Sequence, residues 1–470
     1  MLTGIKFKAN PTPEQKHILS QWMGGARFIW NAKVAENKYY STFARKYYPI
    51  GTYAPIDTKA AHFKDKELTP WLYDCPSQII RNSATNWYKT YQKFIKGICG
   101  KPQFKAKSDA GSIYVTRELF EFEKCDDGVV RLFIGSKTNN IGYLSFKKHG
   151  QFEIPNSLYI RKERGKYYVS FCYDNDRNGG RLNTEKQHLE YLSGATDDFL
   201  ENYTVGIDRG VKIPAHTGKG GFVVDDDRKK KGEFDFDKHQ KKKMDKSKRY
   251  IKRLRHRMAK QTKGANRRNK TKRRAANHHA KVANIRNDFC HKTSRTLVDS
   301  KYRVFVFEDL KTKNMTAKPA PKLDEATGRF LPNKARAKAG LNKAILNVGW
   351  FNLELFTQYK AYAAGKVVFK VSAEHTSQEC ANCSHIHPNN RLTQSEFNCV
   401  VCGHVDNADS NAAKVIAKRA IKLIKDSGTE LTGKGIPKLV TGRGSKRKTS
   451  KAKALPAAAN EASKKKKLAA

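Results

Sequence analysis

The spacing of apolar positions changes along this chain, and each change marks a new kind of element. The opening GIKFKAN alternates like a short strand, and NPTPEQ then supplies a helix start, with Thr12 as N-cap, Pro13 at the first helical position and Gln15 completing a capping box. A long helix to about Phe43 is predicted. After the turn-rich YYPIGTYAPID, Ile80, Ala84, Trp87, Tyr91 and Phe94 recur at helical spacing, a core stripe whose opposite face carries Arg81, Lys89, Lys93 and Lys96. From about residue 101 the period becomes two, in SIYVTRELFEFE, GVVRLFIG, IGYLSF and SLYIRKERGKYYVSFCYD, the last a hairpin turning at Arg164-Gly165. This pattern predicts an antiparallel barrel or sandwich. One strand precedes the helices and the others follow, so the helices read as an insertion into a single β domain.

The polar stretch over residues 176–202 breaks the strand pattern and is the best boundary. Beyond it, YTVGI and RVFVF are apolar throughout, as buried central strands flanked by helices are in an α/β sheet. Between them, Ile251, Leu254 and Met258, then Val282, Ile285 and Phe289, mark two helices. After about residue 430 the chain becomes rich in Lys, Ala and Ser and is expected to be a disordered basic tail.

Charge sharpens this picture. The 470 residues, enough for two or three cores, carry 93 Lys and Arg against 44 Asp and Glu, a net +49 that calls for a polyanionic partner. The density peaks between Lys238 and Arg286, with 21 basic residues against the single acid Asp245. Lys252, Arg253, Arg255, Arg257, Arg267, Arg268, Arg273 and Arg274 are the candidate contacts to a nucleic-acid backbone. The basic residues are spread along the chain rather than gathered on one amphipathic helix, which argues against a membrane surface. MLTGIKFKANPTPEQ has no apolar core, and no run suits a spanning helix, so a soluble cytoplasmic protein is expected, nucleoid-associated when bound to DNA.

Nine cysteines divide into five scattered ones (Cys75, Cys99, Cys125, Cys172, Cys290), expected to be buried small hydrophobes, and one cluster. In that cluster, Cys380-x2-Cys383 and Cys399-x2-Cys402, fifteen residues apart, have the spacing of a two-knuckle zinc ribbon. Four thiolates fill a tetrahedral sphere, so one Zn²⁺ held there is structural and catalysis must come from elsewhere. Three carboxylates fit: Asp208 ends the strand in YTVGIDRG, Glu308 ends that in YRVFVFEDL, and Asp409 heads an amphipathic helix in DNADSNAAKVI. Together, two strand-end acids and one on a packed helix can hold two Mg²⁺ ions about 4 Å apart for phosphodiester hydrolysis. Asp309 and the run Asp225, Asp226 and Asp227 compete for the role; Glu308 is preferred because it directly follows the apolar alternation.

Taken in order, these motifs resemble the RuvC-type nuclease of the TnpB proteins (OrfB) encoded by bacterial and archaeal insertion sequences, and of the related miniature type V CRISPR effectors. GIDRG is similar to the first RuvC motif, FEDLKTKNM to the second and DNADSNAAKVI to the third, with the ribbon just before the third. KFKANPTPEQKHILSQWMGGARFIWN, PSQIIRNSATNWYKTYQKF and KPQFKAK extend the likeness toward the N-terminus, over about residues 5–425. One departure is Ser384 after the first knuckle, where the family often has Gly.

The resemblance implies a multidomain α+β protein: a wedge-like β-barrel (1–10 and 101–180) with a helical recognition insertion (11–100), then an RNase H-like RuvC α/β nuclease (203–376 and 406–428) carrying the zinc ribbon (377–405). It further implies an RNA-guided DNA endonuclease with a guide RNA and target double-stranded DNA as partners, Asp208, Glu308 and Asp409 as the Mg²⁺-binding catalytic triad, and the four cysteines as zinc ligands. A single RuvC site is compatible with a monomer cutting both strands in turn. The alternatives are a miniature CRISPR effector using a CRISPR guide, a cleavage-inactive guided DNA-binding repressor, and a strand-joining transposase on the same fold class. All three acids being present argues against the second, and the N-terminal helical and β regions against the third.

Overall fold

A computed structural model of the chain describes residues 2–43, 56–107, 110–124, 128–174, 185–426, 429–430 and 438–439. Cys125 and residues 176–184 of the expected boundary lie outside these residues, as does the basic tail expected after residue 430 except Lys438 and Leu439, which form a short strand rather than the expected disordered chain. The chain divides into two compact units, Met1–Gly180 with Lys241–Asn284, and Arg181–Gln240 with Ile285–Ala470.

The first unit begins with β1 (Leu2–Ala9) and α1 (Pro13–Thr42), then α2 (Ser77–Ile95) and six strands: β2 (Gly111–Thr116), β3 (Phe120–Lys124), β4 (Val129–Gly135), β5 (Asn140–Lys147), β6 (Ser157–Glu163) and β7 (Lys166–Asp174). At the start of α1, the Thr12 side chain accepts from the Gln15 N–H, and the Gln15 side chain accepts from the Thr12 N–H at 3.0 Å. That reciprocal pair forms the capping box expected from the sequence. The seven strands form one antiparallel sheet in the order β2-β6-β7-β1-β5-β4-β3. Its outermost strands, β2 and β3, are consecutive in the chain and joined by the turn Arg117–Leu119. The β6–β7 hairpin turns where Arg164 (φ 54°) and Gly165 (φ 76°) both adopt the left-handed backbone that a two-residue hairpin loop requires.

Because β1 lies between β5 and β7 while α1 and α2 intervene before β2, the helices are an insertion into the sheet. Leu19, Trp22, Met23, Ala26 and Ile29 of α1 and Ile79, Ile80 and Ala84 of α2 share one core with Phe7, Leu132, Leu144, Phe146, Ile160 and Val169. Further along α2, Trp87 packs with Trp30 and Val34, and Tyr91 is half-buried. Of the scattered cysteines, Cys75 and Cys290 are buried, and burial pushes their thiols up to about 12 and about 11. Cys99 and Cys172 are exposed instead. On β7 the inward positions are Tyr167, Val169 and Phe171, so Cys172 has the outward parity.

The second unit opens with α3 (Glu185–Ser193) and α4 (Asp197–Tyr203), in a stretch that composition marks as linker. Leu189, Leu192 and Leu200 give these helices an apolar edge that joins the core with Val304, Val306, Phe369 and Ile416. The chain continues through β8 (Thr204–Ile207), β9 (Ala215–His216), α5 (Asp227–Lys230) and β10 (Glu233–Phe234) into the basic helices α6 (Lys238–Ala259) and α7 (Asn266–Asp299), both of which run across the boundary between the units. There follow β11 (Val304–Glu308), α8 (Thr312–Met315), the ribbon β12 (Lys322–Leu323) and β13 (Phe330–Leu331), α9 (Ala335–Val348), α10 (Trp350–Ala363) and β14 (Val367–Val371). The cysteine segment holds β15 (Glu396–Asn398) and β16 (Val405–Asn407), and α11 (Ala408–Lys425) precedes the short β17 (Thr429–Glu430) and β18 (Lys438–Leu439).

Strands β8, β11 and β14 are parallel neighbours and buried along nearly their whole length, as their unbroken apolar runs predict. Helix α11 lies across this sheet. At Gly206, in the middle of β8, an added Cβ would come within 2.1 Å of the Ala413 carbonyl oxygen. Only glycine lets α11 pack this closely, and the closeness brings the first turn of α11 to the carboxyl end of β8. No helix among the described residues is long and apolar enough to cross a membrane.

Candidate active site

Parallel register builds the first half of the site. Ile207 of β8 lies opposite Phe307 of β11, so the next residues, Asp208 and Glu308, sit side by side where both strands end. Asp208 is held there by two backbone hydrogen bonds with His216, each 2.9 Å. Asp409 arrives from the other direction. Asn407 ends β16 and caps α11, its Oδ1 accepting from the Asp409 N–H at 3.0 Å and the Ser410 N–H at 3.2 Å, so Asp409 lies in the helix's first turn.

The three acids share one electrostatic environment. Burial, then the charges of Glu308 and Asp409, raises the Asp208 carboxyl to about 7, against the smaller opposing effects of the Arg209 N–H and Arg391. Burial also raises Glu308, opposed first by the Thr376 hydroxyl and then by Arg209, Arg419 and Arg391. Crowded, oxygen-only donors that resist ionising together are the chemistry a hard divalent cation satisfies. A carboxyl whose pKa is higher folded than unfolded takes up protons on folding, so stability falls as pH rises through that interval. In metal-free protein with EDTA, stability from this site should therefore decline from about pH 4 to about pH 7, and Asp208→Asn should flatten much of that slope in denaturant titrations.

Neighbouring side chains fix the acids in place. The Thr376 hydroxyl donates to Glu308 Oε1, and Arg209 donates to the Glu308 carbonyl and, at 2.6 Å, to Glu354 Oε2. Glu354 also pairs with Lys370 at 2.6 Å. Arg391 stands 3.5 Å from Asp409 Oδ1. Arg209 was in view beside Asp208 in GIDRG, but Thr376 and Arg391 come from irregular segments where no periodicity signals them. Of the competing acids, Asp309 extends past the end of β11 with Lys370 4.0 Å away, Asp226 caps α5 and pairs with Lys229, Asp227 pairs with Lys230, and Asp225 is exposed.

The four cysteine sulfurs lie within 4.8 Å of one another, with Cys380–Cys402 and Cys383–Cys399 both at 3.6 Å. Sulfurs about 2.3 Å from a common ion stand about 3.8 Å apart, so this set fits a tetrahedral metal. Both knuckles turn alike, the residue after the second cysteine donating its N–H to the carbonyl of the first: Ser384 to Cys380 at 2.9 Å and Gly403 to Cys399 at 3.0 Å. Each of these residues takes left-handed backbone, φ 62° at Ser384 and φ 65° at Gly403. A serine is strained there, so Ser384→Gly should raise stability by about 0.5–1 kcal/mol in thermal unfolding of the metal-loaded protein.

The knuckles are bolted to α11. The buried Asn411 accepts from the Ala381 N–H at 2.9 Å and donates to the Glu379 carbonyl at 2.8 Å, and Arg419 pairs with Glu379. Buried Asn390, donating to the Gln378 and His385 carbonyls and accepting from the Val400 N–H, ties the loop between the knuckles and sets the start of Arg391.

The first unit holds the basic surfaces. Lys252, Arg253, Arg255 and Arg257 on α6, and Arg267, Arg273 and Arg274 on α7, are exposed. Arg268 is half-buried, donating to the Met258 carbonyl at 2.7 Å and the Gln261 carbonyl at 2.8 Å, which joins the start of α7 to the end of α6. A separate cleft of about 980 Å³ is lined by Arg27, Lys89, Lys93, Arg161 and Tyr159, among others. Within it Lys105 sits 3.5 Å over the Trp30 ring, and burial lowers its pKa to about 8. Lys89 and Lys93, which the sequence places on a solvated face of α2, thus line a concavity.

Comparison with known proteins is consistent along the chain. Family models match at residues 1–43 (helix-turn-helix domain of the OrfB family), 188–318 (probable transposase, OrfB) and 350–416 (Cas12f1-like, TNB domain). The putative RNA-guided DNA endonuclease InsQ of Escherichia coli (strain K12) is 29% identical over 416 residues, 88% of this chain and 91% of that protein. The CRISPR-associated endodeoxyribonuclease Cas12f1 of Sulfoacidibacillus thermotolerans is 33% identical over 148 residues, 31% of this chain and 30% of that protein. In fold, the chain is similar to the protein of a cryo-EM Cas12f1–sgRNA–target DNA complex, with a TM-score of 0.50 at 13% identity over 89% of this chain and 98% of that one. Two of the three matching models are of the OrfB proteins of insertion sequences, the family whose motif order the sequence resembles.

Proposed function

We propose that this protein is an RNA-guided DNA endonuclease that cleaves target DNA beside a short adjacent motif in a RuvC-like site formed by Asp208, Glu308 and Asp409. The convergence of these three acids at the ends of β8 and β11 and the start of α11 is the observation that carries the reading. Relatives named as RNA-guided DNA endonucleases support the guided mode of action and its partners, a guide RNA and double-stranded DNA. In this reading the seven-stranded sheet is the wedge domain, α1 and α2 its recognition insertion, and the cysteine segment a zinc ribbon inserted in the nuclease.

The three carboxylates would hold two Mg²⁺ ions, which when bound make a water nucleophilic near neutral pH and neutralise charge on the leaving oxygen. The protein's own groups prepare that site. Thr376 fixes one oxygen of Glu308, Arg209 holds the Glu308 backbone, and Arg391 brings a positive charge to the edge where a scissile phosphate enters. The four cysteines would hold one Zn²⁺ that stiffens the base of α11 and does no chemistry.

The test is to purify the chain expressed with its flanking DNA, sequence the RNA that accompanies it, and assay Mg²⁺-dependent cleavage of a matching duplex. One abundant structured RNA with a variable end supports the guided reading, and a CRISPR-derived repeat in it would identify the miniature CRISPR effector. A random mixture of cellular RNA would overturn guidance.

A further inference from the structure

Helices α6 and α7 enclose a second, smaller cleft within the first unit, of about 510 Å³, in the size range of small-ligand sites. Tyr250, Arg253 and Arg257 enter it from one face of α6 at positions i, i+3 and i+7, and Arg274, Asn277 and His278 from the facing side of α7. This is more than a solvated basic face. The Tyr250 and His278 rings lie parallel, at 5° with centroids 5.0 Å apart, and form a two-ring shelf across the helices. Tyr250 remains 40% exposed, and the Arg253 guanidinium stands 5.7 Å from its ring. Behind the Tyr250 ring, His278 Nδ1 is buried and has no hydrogen-bond partner among the described residues, so the imidazole serves as the backing of the shelf. The one acid on this part of α6, Asp245, is paired with Lys248 at 3.1 Å and leaves the arginines' charge unneutralised.

Arginines alone would suit any phosphate. The exposed aromatic ring suits a planar ligand and the Asn277 amide a hydrogen-bonding edge, and a nucleobase joined to phosphates combines these with the charge the arginines meet. The geometry points to a single-nucleotide site: one unpaired base of a strand stacks on the exposed Tyr250 side of the Tyr250–His278 pair, Asn277 meets its edge, and Arg253, Arg257 and Arg274 hold its flanking phosphates. This rests on the reading that the chain handles nucleic acid, and it adds a place where one nucleotide is taken out of the stack.

Full-length protein is mixed with single-stranded RNA or DNA carrying one 5-iodouracil, irradiated with near-ultraviolet light, and the crosslinked peptide is located by mass spectrometry. Crosslinks are expected at Tyr250 or His278, and the better-yielding strand type identifies the source of the nucleotide. Tyr250→Ala should weaken binding of a base-bearing oligonucleotide by about 5- to 150-fold, Tyr250→Phe should keep it, and an abasic oligonucleotide should not distinguish Tyr250→Ala from the native chain. The Arg253→Ala/Arg257→Ala double variant should weaken both ligands and flatten the salt dependence. Crosslinks confined to other residues, or a Tyr250→Ala variant equal to native or equally impaired on both oligonucleotides, would overturn the site while nucleic-acid binding persists. A native chain that binds neither strand would overturn the broader reading with it.

Discussion

Asp208→Asn and Asp409→Asn are each expected to leave guide and target binding close to native while lowering cleavage on the order of 10³-fold or more. Asparagine keeps the size and much of the hydrogen bonding of aspartate but removes the charge that a cation needs. At Asp208 the change is also mild structurally, because this carboxyl is already raised to about 7 by burial and by Glu308 and Asp409. A neutral amide there relieves like-charge crowding, so folding should be kept or improved while catalysis is lost. At Asp409 the cap is supplied by Asn407, so the start of α11 should survive the substitution. Single-turnover cleavage alongside filter binding separates the two effects. Loss of binding in step with cleavage would recast these residues as structural.

The second large effect is expected at the ribbon. Cys380→Ser with Cys383→Ser should abolish stoichiometric zinc in elemental analysis, lower the unfolding temperature and reduce cleavage. Structural zinc in small domains supplies about 10–16 kcal/mol of apparent binding energy, so losing half the ligands unfolds the knuckle rather than loosening it. That loss does not stay local. Glu379 and Ala381, on either side of Cys380, are the residues that Asn411 and Arg419 grip, and both grips belong to the helix bearing Asp409. Unchanged zinc content in this variant would refute the assignment of the cluster as a metal site.

How much of this was legible in the sequence depends on how local each feature is. The capping box of α1 and the Arg164-Gly165 turn are written in three or four adjacent residues and form as the sequence predicts. The apolar runs of β8 and β11 announced their own strand ends, and thereby Asp208 and Glu308. Helices α3 and α4 were hidden because Leu189, Leu192 and Leu200 are too sparse to outweigh the charge around them, and their burial depends on α11 arriving from more than two hundred residues away. The same is true of Gly206: in the sequence it is one glycine within a strand, and only the packed helix reveals the contact that a side chain would forbid. Arg391 is positioned by Asn390 in an irregular loop, where no spacing rule applies.

The placement of β1 has a consequence for synthesis. Ile5 pairs with Phe171 and Ala9 with both Tyr167 and Phe146, so the first strand made is among the last to be paired. At translation rates of about 5–20 residues per second, its hydrogen-bonding edges wait roughly 10–30 s for partners while the inserted helices are already outside the ribosome. During that interval α1 and α2 can fold on each other through Trp30, Val34 and Trp87, a local nucleus that needs no strand. The sheet then forms against a preformed helical hairpin, and substitutions that weaken the hairpin are expected to slow β1 capture and reduce the yield of folded chains before they alter the finished protein.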